Sequence, residues 1–168
     1  MDNLFSDPTR PSNPRELPPL ERSFFEYLLD LEVRKAARYL YYFSLLVVRL
    51  DPVPGETSRT DLKATLEFLV RDEIRETDLI GLWGNSSIFI ILQYSDLQNG
   101  VLVGERVRER VAHYEFEAQD SRNRRTVSIG VTCFPTNANE VKSLIQRTEE
   151  MLSRAQQLGG NRVCVPEA

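Results

Sequence analysis

The chain has 168 residues, 41% hydrophobic and 27% charged, which is ordinary composition for one globular domain with a short appendage. A net charge of -4 argues against general nucleic-acid binding, so no DNA partner is expected and any anionic ligand must be held by a local cluster of arginines. No apolar run reaches the length of a membrane span, and the N-terminus carries acids and prolines where a secretory signal would be basic and then apolar. A cytoplasmic location without membrane insertion is the expectation. Cys133 and Cys164 sit in strand-like apolar segments and read as buried thiols rather than a disulfide. Two cysteines and one histidine do not make a zinc site, and no metal is expected.

Residues 1–19 hold five of the nine prolines and are read as a flexible tail. From Leu20 to about Tyr39, Phe24, Phe25, Leu28, Leu29, Leu31, Val33 and Ala36 recur at near-helical spacing, predicting a leading helix. Residues 42–50 are a near-continuous apolar run stopped by Asp51-Pro52, as in a central strand buried on both faces. Leu62, Leu66, Leu69, Val70 and Ile74 form the stripe of a second helix, which Thr60-Asp61 is placed to cap. Apolar runs at 78–83 and 87–93 flank Gly84-Asn85 and predict a hairpin.

A third helix is expected around Leu97 to Val111, a strand at 125–134, a fourth helix from Val141 to Ala155 and a closing strand at 162–165. Gly159-Gly160 provides a natural stop for the fourth helix. The arginines at 122, 124 and 125 read as a loop before a strand, and Arg108 and Arg110 as a solvated helix face. His113 reads as an exposed or capping residue, Trp83 as core, and Ser86 and Ser87 as turn filling. This order suits an α/β fold, an α+β sandwich with helices packed on an antiparallel-rich sheet.

Arg75 to Asp78 ahead of the tip Gly84 to Ile88, Thr126 to Val131, and Gly159 to Val163 together resemble the GGDEF (diguanylate cyclase-like) family. Arg75-Glu76-Thr77-Asp78 matches its Arg-x-x-Asp motif, followed after Leu79 to Trp83 by a tip that reads Gly84-Asn85-Ser86-Ser87-Ile88. Thr126 to Val131 is similar to its Thr-x-Ser-Ile-Gly strand, and Gly159 to Val163 to its closing segment. The likeness runs from about Glu32 to Val165, making residues 20–168 a degenerate GGDEF domain with a leading helix. It implies the palm-like central sheet shared with nucleotide cyclases.

The resemblance also implies what each site residue does. Two-metal phosphoryl transfer needs carboxylates for magnesium and cations for the triphosphate. Arg49 stands where the family has its first metal aspartate, and Ser86 and Ser87 where the tip has its acids. A guanidinium cannot ligate magnesium. Gln156 and Gly160 replace the lysine and arginine that hold phosphates, and Asp51 survives alone with no catalytic role assigned. No catalytic residue, and no enzymatic activity, is therefore expected.

The product-binding positions are kept. Arg75, Asp78 and Arg106 match the set that binds cyclic di-GMP, with Arg71 as a possible fourth member. An arginine fork can pair with guanine O6 and N7 or with a phosphate, while a carboxylate accepts from guanine N–H groups. The resulting expectation is an inactive cyclic di-GMP receptor that needs no cofactor. It would relay binding to a protein partner in a signalling, motility or polarity complex, with ligand-promoted homodimerisation as a further implied output. The alternative is a nucleotide-independent scaffold or interaction module on the same fold.

Overall fold

The computed structural model describes residues 18–54, 60–84, 86–118 and 121–167. Most of the expected tail and Asn85 lie outside them, and Thr60 and Asp61, expected to cap the second helix, are its first two residues. In chain order the elements are α1 (Arg22–Tyr39), β1 (Phe43–Leu50), α2 (Thr60–Glu73), β2 (Leu79–Trp83), β3 (Ser87–Leu92) and α3 (Leu97–His113). A small pair follows, β4 (Glu115–Ala118) and β5 (Ser121–Arg124), then β6 (Val127–Phe134), α4 (Val141–Gln157) and β7 (Arg162–Cys164). Among the described residues no helix is long and apolar enough to cross a membrane.

The main sheet has the order β2-β3-β1-β6-β7, antiparallel throughout except for the parallel β6–β7 pair. Central β1 is buried on both sides because its side chains alternate between two cores. Leu46, Val48 and Leu50 meet α2 and α3 on one face, and Phe43, Leu45 and Val47 meet α1 and α4 on the other. The expected helix-flanked, antiparallel-rich α+β architecture is the one observed.

Two local expectations are corrected. The arginine-bearing segment at 122–125 is not a loop, because residues 121–124 form β5 and pair antiparallel with β4, Glu115 facing Arg124. Charged residues on a two-stranded ribbon leave no apolar period to read. Leu20 does not begin the leading helix. It bridges in parallel to Gly81, its N–H donating to the Ile80 carbonyl at 2.9 Å and its carbonyl accepting from Leu82 at 2.9 Å, so it extends the sheet edge beside β2.

The close approach of α4 to β6 depends on Gly130. A β-carbon there would lie 2.2 Å from the Thr148 carbonyl oxygen and 2.6 Å from the Leu152 nitrogen, both backbone atoms that cannot swing aside. Beside it, Thr132 and Thr148 hydroxyls pair at 2.6 Å in the same buried seam. Gly130→Ala is expected to lower the unfolding free energy by about 1–3 kcal/mol, as overpacking does, measured by urea denaturation. Wild-type stability in that variant would contradict this packing.

Candidate functional site: a cleft between the Arg75 turn, the exit of β3 and α3

Chain reversal between α2 and β2 is organised by one side chain. Asp78 donates its N–H to the Arg75 carbonyl at 3.1 Å, and its Oδ2 accepts the Arg75 N–H at 2.9 Å, closing the turn from both ends. Oδ1 accepts the Gln93 N–H at 3.1 Å, which ties the turn to the residue just after β3. Burial is the main influence on this carboxyl and raises its pKa. The Arg75 and Gln93 amides and the nearby Arg75 charge pull the other way.

Helix α3 supplies the opposite wall. Asp96 caps it by accepting the Asn99 N–H at 2.8 Å, and Asn99, Val103 and Arg106 share one face through their helical spacing. Arg106 reaches across to the end of α2, where Nε pairs with Glu73 Oε2 at 3.3 Å and an Nη donates to the Glu73 carbonyl. A cleft of about 140 Å³ results, and Arg75, Asp78 and Arg106 all line it. Among the described residues the Arg75 guanidinium makes no hydrogen bond or ion pair, whereas the Arg106 guanidinium is already engaged. Arg71 does not line the cleft, and its Nε pairs with Glu67 at 3.0 Å.

The hairpin tip lies at the other end of β2. Six residues of extended chain from Asp78 to Gly84 put it about 20 Å away. Gly84 has φ +62°, the left-handed geometry that favours glycine, and its carbonyl accepts from Lys63 Nζ at 3.1 Å. Arg49 of β1 faces Ser87 of β3 in the sheet register, and its Nε donates to Ser87 Oγ at 2.8 Å. Ser87 is thus a buried strand residue, a correction to its reading as turn filling, while Ser86 is half-buried and the Ile88 side chain is fully buried. Among the described residues no group of three or more His, Cys, Asp or Glu side chains could hold a metal ion.

Asp51 has a role that the sequence did not disclose. Its carboxylate accepts from Thr126 Oγ1 at 2.6 Å, Ser128 Oγ at 2.5 Å and the Asn161 N–H at 2.8 Å, joining the end of β1 to β6 and to the loop after α4. Gly160, at φ +74°, leaves the space this requires, since a β-carbon there would lie 2.8 Å from the Asp51 carboxyl. Gly159 and Gly160 stop α4 as expected, their N–H groups donating to the Gln156 and Ala155 carbonyls.

A family model described as diguanylate cyclase, GGDEF domain, matches residues 64–162, more than half of the chain. The chain belongs to the GGDEF family. YhcK of Bacillus subtilis, described as uncharacterized, is 27% identical over 87% of this chain and 43% of its own length. The chain therefore spans less than half of that relative. Among solved structures, the GGDEF domain of TpbB (YfiN) from Pseudomonas aeruginosa superposes with a TM-score of 0.82 at 16% identity, covering 89% of this chain and 91% of that one. The GGDEF domain of DgcB from Caulobacter crescentus, solved in complex with cyclic di-GMP, gives 0.75 at 17% identity, covering 86% and 90%. At these identities the structures establish the GGDEF fold.

The remaining single-residue expectations can be placed on that fold. Trp83 is in the core, its Nε1 donating to Glu149 at 3.1 Å, with the Arg22 guanidinium 4.0 Å above its ring. His113 is exposed at the end of α3, a ring nitrogen 2.8 Å from the Glu109 carbonyl. Cys133 is buried and Cys164 only partly so, and both are free. Arg110 lies on the surface paired with Asp72, but Arg108 is mostly covered and reaches Asn161, so the solvated face holds for one of the two.

Asp78 has a structural task as well as a place in the cleft, so substitutions should separate the two. Asp78→Ala, which removes the acceptor of two backbone amides, is expected to cost about 1–3 kcal/mol of stability in urea denaturation. Arg75→Ala is expected to change it by less than about 0.5 kcal/mol. In a carboxyl NMR titration Asp78 should have its midpoint above the ordinary aspartate value of about 3.9. Its proton is held more tightly in the folded chain, so this group favours the fold at acidic pH and loses that contribution as pH rises through its folded pKa.

Proposed function

We propose that this GGDEF domain binds cyclic di-GMP in the cleft at Arg75, Asp78 and Arg106 without synthesising it. The observation that carries the reading is the convergence of those side chains, from a turn and from a separate helix, on one cleft. A guanine edge offers acceptors at O6 and N7 and donors on its Watson–Crick side. The unengaged Arg75 fork suits the acceptors or a phosphate, and each Asp78 oxygen, with one amide bond made, retains acceptor capacity for the donors. Arg106 has five N–H donors, of which Glu73 uses two, so it can contact a phosphate while still held at the rim. The DgcB domain, solved with this dinucleotide, lends the assignment support by family.

Loss of synthesis is supported by what occupies the hairpin end. Magnesium-assisted phosphoryl transfer requires hard anionic oxygens around the metal. At the positions where the family resemblance puts the metal aspartate and a tip acid, this chain has a cation bonded to a hydroxyl, Arg49 to Ser87. A positive guanidinium there repels a divalent ion. Relay to a protein partner is supported by α1, where Phe24 and Tyr27 are exposed and stacked with centroids 6.3 Å apart.

Calorimetric titration with cyclic di-GMP should show a dissociation constant of about micromolar or tighter. Arg75→Ala should weaken it by about 5- to 150-fold, the loss of a bidentate contact, with the stability of the fold kept. No heat at ligand concentrations far above that range would dispose of the receptor reading. Cyclic product appearing after incubation with GTP and magnesium would dispose of the inactive one.

A further inference from the structure

We propose that Tyr94 is a stacking platform for a purine base in this cleft, backed by Tyr41. The inference rests on the receptor reading above and adds to it the group that receives the flat face of the base.

Tyr94 comes two residues after β3 ends and lines the same cleft as Arg75, Asp78 and Arg106. It is 68% exposed, a large aromatic side chain at the rim of a cleft whose other prominent groups are charged. Its backbone has φ +50°, a left-handed conformation that bulky side chains rarely adopt and that glycine or asparagine would take more readily. Strain of this kind persists where the surroundings enforce it and is a recognised mark of functional positions.

The ring itself is held by its neighbours. The Tyr94 ring lies against the Tyr41 ring with centroids 4.4 Å apart and planes inclined by 32°. Tyr41 is itself fixed, its hydroxyl donating to Glu32 Oε1 at 2.8 Å. Burial, and then that hydrogen bond, raise the Tyr41 pKa, so the hydroxyl keeps its proton and remains the donor. Glu32 is only 3% exposed, and its other oxygen accepts from Lys35 Nζ at 3.0 Å and Gln93 Nε2 at 3.2 Å. Gln93 is also the residue whose amide Asp78 holds. Both the platform and the carboxylate thus hang from adjacent residues at one strand exit.

A ring covered on one side and two-thirds exposed presents its second face outward. Every nucleobase has a π-face that will stack on such a ring, and cationic side chains beside it hold the attached phosphate. Tyr94 therefore supplies affinity for the plane of the base, and the edge-reading groups Arg75 and Asp78 supply the choice of guanine.

The test is calorimetry with cyclic di-GMP on the full chain, comparing wild type, Tyr94→Asn and Tyr94→Trp well below their melting temperatures. Asparagine removes the ring and suits a left-handed backbone, so the fold stays intact while affinity should fall by about 5- to 150-fold. Tryptophan should keep the affinity within about threefold, and its emission should change on binding because the base covers it. If wild type binds and Tyr94→Asn binds within about twofold of it, the platform is wrong and the receptor reading stands. If wild type does not bind, both fall.

Discussion

The Asp78 carboxylate is the constraint on which the cleft depends. A single short acidic side chain accepts amides from Arg75 and from Gln93, residues that belong to different edges of the β2–β3 hairpin. Without that bridge, the partly buried Gln93 N–H would need another acceptor, and the relative positions of the turn after α2 and the exit from β3 would not be set. Burial raises the cost of ionising this group, while the two amides and the Arg75 charge favour the anion. A residue first singled out for its chemistry toward a ligand thus also builds the place where the ligand would sit.

The same principle operates at the other end of the hairpin with opposite charge. Arg49 and Ser87 are cross-strand partners, so the hydrogen bond between them is a consequence of sheet register rather than of local sequence. It leaves a cation on the central strand beside the tip. Asp51, two residues on, is bonded to two hydroxyls and a backbone amide. One carboxylate and one guanidinium near the start of the loop after β1 therefore serve architecture. The tip and the cleft are separated by the length of β2, so a change of side chains at one leaves the geometry of the other intact.

Glu32 links these features to the leading helix. A carboxylate this deeply buried is tolerated because it receives an ammonium, a phenol and a side-chain amide, which satisfy its oxygens. Through those bonds the C-terminal half of α1, the entry to β1 and the exit of β3 are held at one point. The helix is further fixed at its start, where Phe25 packs over Gly81 so closely that a β-carbon at residue 81 would lie 2.3 Å from its ring.

Much of the fold was legible because long apolar stripes and a two-faced central strand impose their periods on the chain. The four helices, the hairpin and the buried strands at 43–50 and 127–134 follow from that patterning. The ribbon at residues 115–124 was not legible, since its arginines and acids carry no core-facing alternation. By itself the sequence determined residue chemistry and order: an Arg-x-x-Asp before a strand, two serines after the hairpin glycine, glycines at chain reversals. Only the tertiary structure decided that Arg106 and Arg75 line one cleft, that Tyr94 lies at its rim against Tyr41, and that Arg49 meets Ser87 at the far end of the hairpin. Those relations join residues far apart in the chain, and their distances are set by sheet register and helix packing, which no local pattern encodes.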